Sequence, residues 1–174
     1  MDQVNQILEI DNDYILTKVK GWIGDRLIDA GMQYDIMNLI VKPDATVELL
    51  RLLKQDEELK FDFLTDLCGI HFPDQKGNEL GVIYHVHSFN HNIRLRIKSF
   101  VPVEHPVVQT MTSLYASANW MERETYDFYG IIFDGHPDLR RILNMDEMEY
   151  FPLRKEYPLQ DATRTDKEDK YFGR

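Results

Sequence analysis

The sequence predicts an α+β fold: a mixed β-sheet packed with helices, followed by an extended C-terminal arm. Three observations predict it. Residues 79–89 and 92–101 alternate apolar with polar side chains on either side of a short polar turn, the pattern of an antiparallel hairpin. Apolar residues at helical spacing lie on both sides of that hairpin. Beyond Gly130 the periodicity ends, and Pro137, Pro152 and Pro158 interrupt a stretch of alternating aromatic and basic residues. The division that follows is an α+β domain over 1–143 and an extended docking arm over 144–174.

Taken in order, Tyr14, Ile15, Val19, Trp22, Ile23, Leu27 and Ile28 predict a helix over 13–30, although Gly21 and Gly24 oppose one. Residues 34–41 read as a strand. Residues 45–55 read as an amphipathic helix with Asp44 as its N-cap. Residues 61–70 fit either a strand or a short helix. In the hairpin, Leu80, Val82, Tyr84 and Val86 face Ile93, Leu95 and Ile97, with one side packed on helices and the other carrying charge. Pro106 suits the first position of a helix that aligns Val107, Val108, Met111, Leu114 and Tyr115. Asn119 with Glu122 resembles a capping pair for a second helix that ends near Gly130.

Composition excludes several classes. The chain has 174 residues and a net charge of −10, with 20 Lys and Arg against 30 Asp and Glu, so nucleic acid and anionic lipid are poor partners. A single cysteine, Cys68, excludes a disulfide scaffold and cysteine-held zinc or iron–sulfur sites. The opening residues lack a basic segment followed by an apolar one, and apolar runs such as Leu39-Ile40-Val41 are far short of a membrane span of roughly 20 residues. A protein of the reducing, cytoplasmic side without membrane insertion is expected.

Candidate chemistry is sparse. Gly21-Trp22-Ile23-Gly24 matches neither glycine-rich phosphate motif. His85 and His87 share a strand face, a spacing that lets two imidazoles meet a metal, but nothing brings His71 or His91 to them. Glu124 and Asp127 lie on one helix face with His136 nearby, a set from which acid–base chemistry can be built. Arg123, Arg140 and Arg141 offer those carboxylates ion pairs instead. Arg94, Arg96 and Lys98 form a short basic stripe suited to a solvated sheet face or a protein-docking edge.

The stretch 122–159 is of a different kind. Glu122-Arg123-Glu124, Asp127-Phe128-Tyr129-Gly130-Ile131, Gly135-His136-Pro137-Asp138-Leu139-Arg140-Arg141-Ile142-Leu143, Pro152-Leu153-Arg154-Lys155 and Tyr157-Pro158 closely resemble the signature of the C-type subunit of the proton-pumping NADH:quinone oxidoreductases, respiratory complex I. Ala118-Asn119-Trp120 resembles the approach to that signature, and fainter likeness runs back through 63–67 and the hairpin. A departure lies at Met148-Glu149-Tyr150-Phe151, where the family usually carries a Trp and a Gly before the proline.

The resemblance implies an accessory subunit with no cofactor of its own, FMN and iron–sulfur clusters being held by partner subunits. It implies docking on the D-type subunit, which helps form the quinone site, and contact with other subunits of the hydrophilic arm. Quinone and NADH are then bound by the complex rather than by this chain. The location implied is peripheral, on the cytoplasmic side of the inner (plasma) membrane. Glu122, Arg123, Glu124, Asp127, His136, Arg140, Arg141, Arg154 and Lys155 are the structural and docking candidates. Residues 122–127 and 136–141 would lock the base of the arm, Arg154 would fork onto a carboxylate, Tyr171 and Phe172 would anchor the end, and removal of 144–174 would leave a folded domain unable to assemble. Two alternatives are the equivalent subunit of a related membrane-bound hydrogenase or quinone-reducing complex, and a stand-alone acid–base enzyme using Glu124, Asp127 and His136.

Overall fold

A computed structural model describes residues 10–158; the expectations for the N-terminal nine residues, for Leu159 and for the Tyr171–Phe172 anchor lie outside the described residues. Helix α1 (Asn12–Ile23) starts where the Asp11 carboxylate accepts the Tyr14 N–H. It is shorter than the sequence predicts. Gly24 takes a positive φ of 52°, a single 3-10 turn follows, and Leu27 and Ile28 belong to strand β1 (Leu27–Gln33). Tyr34 and Asp35, both at positive φ, form the two-residue turn into β2 (Ile36–Val41), so the second strand starts two residues later than predicted.

Helix α2 (Pro43–Gln55) begins two residues earlier than expected, with Lys42 in the N-cap position. Pro43 is the first helical residue and Asp44 sits in the first turn rather than capping it. The ambiguous segment is strand β3 (Phe63–His71), selected by its antiparallel pairing with β4 (Leu80–Ser88). Strand β5 (Ile93–Val101) completes the predicted hairpin.

The predicted helix after Pro106 is absent. Val107–Gln109 is a short strand, β6, paired in parallel with β7 (Ile132–Asp134), and turns carry the chain from Met111 to the next helix. Two β-branched residues find a strand partner there, which local periodicity cannot reveal. Helix α3 (Ala118–Tyr129) separates the two strands and ends at Gly130 in the left-handed conformation, φ 75°. Asn119 lies inside this helix and caps nothing.

The large sheet runs β1-β2-β5-β4-β3 and is mixed, because β2 and β5 are parallel while the other pairs are antiparallel. Its inner face (Leu39, Val41, Val82, Tyr84, Leu95 and Ile97, all fully buried) packs under the helices. The outer face carries Asn38, Asp66, His85, Arg94, Arg96 and Lys98, the charge segregation expected of the hairpin. Helix α3 lies along β3, where the Tyr129 ring occupies the space a side chain at Gly69 would need.

Candidate partner-docking site

Helix α3 turns several of its acidic and basic residues inward. Asp127 has no exposed surface. Its carboxylate accepts Arg141 Nη1 at 2.7 Å and the successive backbone N–H groups of Ile142, Leu143 and Asn144 at 3.1, 2.8 and 2.9 Å. Burial alone would push this carboxyl up; the three N–H groups and the guanidinium outweigh it and hold the group well below the usual carboxylate range. A peptide ribbon is thereby fastened to a helix by its own backbone.

The other basic residues extend the fastening. Arg141 Nη2 also donates to the carbonyls of Met148 and Tyr150. Arg123 donates to the carbonyls of Arg140 and Arg141 while stacking on Trp120. Arg154 Nε donates to the Tyr129 carbonyl at 2.8 Å, and the Phe151 ring lies against the guanidinium groups of both Arg141 and Arg154. The Leu153 N–H reaches the Phe128 carbonyl, and the Lys155 N–H reaches His71 Nδ1. Residues 141–155 thus lie bonded along α3 and the end of β3.

Glu124, Asp127 and His136 are not gathered at one point. His136 Nε2 bonds the Asn119 carbonyl and its Nδ1 accepts the Asp138 N–H, so both ring nitrogens are engaged. Glu124 lines a hollow between α3 and β3 with Asp66, Cys68 and Leu153. Of the arginines expected to neutralise carboxylates, only Arg141 meets Asp127; Arg140 is exposed and pairs with Asp138. His85 and His87 do share one face, but His85 Nε2 accepts Arg96 Nε and His87 lies near Asn92 Oδ1. Among the described residues no three of His, Cys, Asp and Glu gather as a metal site.

Sequence reasoning missed the partners of Glu122. Its carboxylate is fully buried and meets no cation among the described residues; Thr110 Oγ1 donates to it at 2.5 Å and the Met111 N–H at 2.6 Å. Burial pushes its pKa up to about 7 against the pull of those two donors. The folded protein therefore keeps a proton that the unfolded chain releases, so stability falls as pH rises from about 4.5 to about 7. Glu122→Gln removes that fall and raises stability at pH 8 by about 2–3 kcal/mol. Urea titrations at pH 5 and pH 8 check it: a variant with the parent's pH slope contradicts the assignment.

The fold and this fastening define a mixed-sheet α+β domain closed by a peptide ribbon that a buried ion pair pins in place. The chain belongs to the respiratory-chain NADH dehydrogenase 30 kDa subunit family, whose model matches residues 39–163. It is 42% identical over 146 residues to the second C-type subunit of NADH-quinone oxidoreductase from Rhizobium meliloti, covering 83% of this chain and 79% of that one. It is 36% identical to the C-type subunit of NADH-quinone oxidoreductase from Roseiflexus, across 95% and 96% of the two chains. Against the corresponding subunit of Nocardioides the match is 46% identical but spans 44% of that longer protein. A trypsin-resistant fragment of Nqo5 superposes with a TM-score of 0.61 at 26% identity, over 73% of this chain and 98% of the fragment. A chain of an archaeal membrane-bound sulfane sulfur reductase shares the fold, with a TM-score of 0.70 at 18% identity over 84% and 85%.

Proposed function

We propose that this chain is the accessory C-type subunit of a proton-pumping NADH:quinone oxidoreductase, docking on the D-type subunit and supporting electron transfer from NADH to quinone without binding either. The observation that carries the reading is the ribbon's two-sidedness. Its inner side is taken up by Asp127, Arg123, Arg141 and Arg154, while Leu143, Met145, Tyr150 and Tyr157 remain exposed. Exposing Leu143 at 66% and Met145 at 69% is a hydrophobic cost that a partner surface removes. Tyr150 and Tyr157 pack on each other at 4.9 Å, presenting a rigid aromatic pair of the kind that anchors interfaces.

In this role the chain supplies shape rather than chemistry. FMN and iron–sulfur clusters are assigned to partner subunits, as the family resemblance implies; the lone Cys68 cannot by itself ligate a cluster. The site is peripheral, on the cytoplasmic side of the membrane; no described helix is long and apolar enough to cross it. Arg123, Asp127, His136 and Arg141 hold the ribbon's base, and the arm over 144–174 docks on the D-type subunit. A cut at 144 strips Asn144 from Asp127 and Phe151 from its guanidinium stack, so truncation tests folding together with docking.

The cleaner experiment is Leu143→Asp with Met145→Asp, because both side chains are exposed and substitutions there change stability by roughly 0.5 kcal/mol or less. The expected result is an unchanged melting temperature with loss of the chain from the membrane complex and at least a tenfold fall in NADH-driven quinone reduction. Normal incorporation of the double variant contradicts the reading. A wild-type complex that reduces quinone from another donor and lacks NADH activity assigns the chain to a related quinone-reducing assembly.

A further inference from the structure

We propose that the outer face of the large sheet is a second docking surface, and that it receives an acidic segment of another subunit of the assembly. The inference rests on membership of the complex proposed above. The opposite face is the fully buried one, with Leu39, Val41, Val82, Tyr84, Leu95 and Ile97, whereas on this face Arg94 is exposed and Arg96 and Lys98 are half-buried; Glu124 and Leu153 reach only its β3 edge, beside Asp66 and Cys68. Across it runs a row of polar groups, one from each of four neighbouring strands. Asn38 Oδ1 accepts Arg96 Nη1 at 3.2 Å, Arg96 Nε donates to His85 Nε2 at 2.7 Å, and His85 Nδ1 stands 3.6 Å from Asp66.

Donors and acceptors do not balance along this row. Because His85 Nε2 accepts from Arg96, the imidazole is neutral with its proton on Nδ1, and that atom is buried without a hydrogen-bond partner among the described residues. Arg96 therefore directs a charged donor at a neutral acceptor. Neither Arg94, Arg96 nor Lys98 forms an ion pair with any described carboxylate, although Arg96 and Lys98 are half-buried. Burial and Arg96 both disfavour the Lys98 ammonium, a cost that an incoming carboxylate relieves. Asp29 and Asp66 sit on the two edge strands, so the cations occupy the middle of the face.

Shape and flanking chemistry define the occupant. Beside Lys98 a hollow of about 370 Å³ is lined by Asn38 and Ile40, with Asp29 on its β1 side, and is kept open by Gly31, where an added Cβ would meet nothing within 4 Å. Aromatics close the two ends of the face: exposed Phe63 with exposed Phe89 at one, exposed Phe72 with half-buried Phe100 at the other. A segment with Asp or Glu at its centre and apolar side chains on either side matches this order. On a chain of net charge −10, three cations with no ion pair to any described carboxylate are a local complement for such a segment.

The test couples amines to carboxylates with a zero-length carbodiimide in the complex purified from membranes, followed by peptide mapping. The expected result is a Lys98 cross-link to an Asp or Glu of another subunit, absent in Lys98→Met, with Lys98 acetylated at least tenfold more slowly in the complex than in the free chain. Arg94→Glu, an exposed change, is expected to reduce the cross-link severalfold while leaving the melting temperature of the free chain unchanged. A Lys98 equally reactive in both states overturns the proposal. So does a cross-link joining two copies of this chain, or protection that disappears on delipidation with no carboxylate coupled, which assigns the face to lipid. If the purified complex lacks the chain altogether, the reading of the chain as a subunit fails first; if it contains the chain with Lys98 exposed, only the present inference fails.

Discussion

Asp127→Ala is expected to destabilise the isolated chain by about 3–5 kcal/mol, the typical cost of removing one partner of a buried pair. The guanidinium of Arg141, which is nearly buried, would lose its counter-charge, and the N–H groups of Ile142, Leu143 and Asn144 would lose their common acceptor. Asp127→Asn distinguishes charge from shape. One amide oxygen can still accept, but the NH₂ replacing the other oxygen faces donors and cannot satisfy them. Both variants should therefore lose most of the pair's contribution, Asn slightly less. The pH dependence carries the opposite sign to that of Glu122. A carboxyl depressed in the fold contributes stability above the ordinary carboxylate range that is lost as pH falls below about 4. Equilibrium denaturation between about pH 2.5 and 7 measures this loss of the ionised pair; an Asp127→Asn variant with the parent's acid limb would show that the pair does not secure the ribbon.

Gly130→Ala should cost about 3–4 kcal/mol, combining a left-handed backbone penalty with overpacking. Gly130 sits at φ 75°, and a Cβ there would stand 2.4 Å from the Phe151 ring and 2.7 Å from an Arg154 nitrogen. Relief requires moving the ring away from Arg141 and Arg154, which also strains the Arg154 bond to the Tyr129 carbonyl. The measurable consequence is local before it is global. Amide exchange at Leu153 and Arg154 should accelerate more than at β4 and β5. Uniform acceleration across the sheet would mean that the ribbon is not a separate fastening. Gly130→Asn, which tolerates the left-handed region better than Ala but still carries a Cβ, should recover little of the loss.

The sheet hairpin and the end of α3 were legible because each rests on local chemistry. Alternation marks β4 and β5 with few competing readings, and a glycine after an amphipathic run marks a C-cap. The helix predicted over 13–30 failed at Gly24, where a positive φ turns the chain into an edge strand without interrupting the apolar count. The failure after Pro106 was non-local. Val107 and Val108 became a strand only because β7 lies beside them, across a helix of 12 residues. The site divides the same way. Proximity in sequence offered Arg123, Arg140 and Arg141 alike to Glu124 and Asp127, of which only Arg141 with Asp127 forms an ion pair, and nothing at Glu122 announced that its acceptors would be filled by Thr110 and Met111 rather than by an arginine. The outer sheet row was equally hidden, because Asn38, Asp66, His85 and Arg96 come from four strands whose order the sequence does not state.

The buried Asp127–Arg141 pair secures a ribbon on which Leu143, Met145, Tyr150, Leu153 and Tyr157 stay exposed. The most direct measurement is affinity purification of the tagged chain from solubilised membranes, with subunit composition, flavin and iron–sulfur content and NADH:quinone activity determined on the same material. Stoichiometric recovery with the D-type subunit, bound FMN and clusters, and NADH-driven quinone reduction is the expected result. Recovery of the chain by itself, beside a complete and active complex that lacks it, would contradict the docking role.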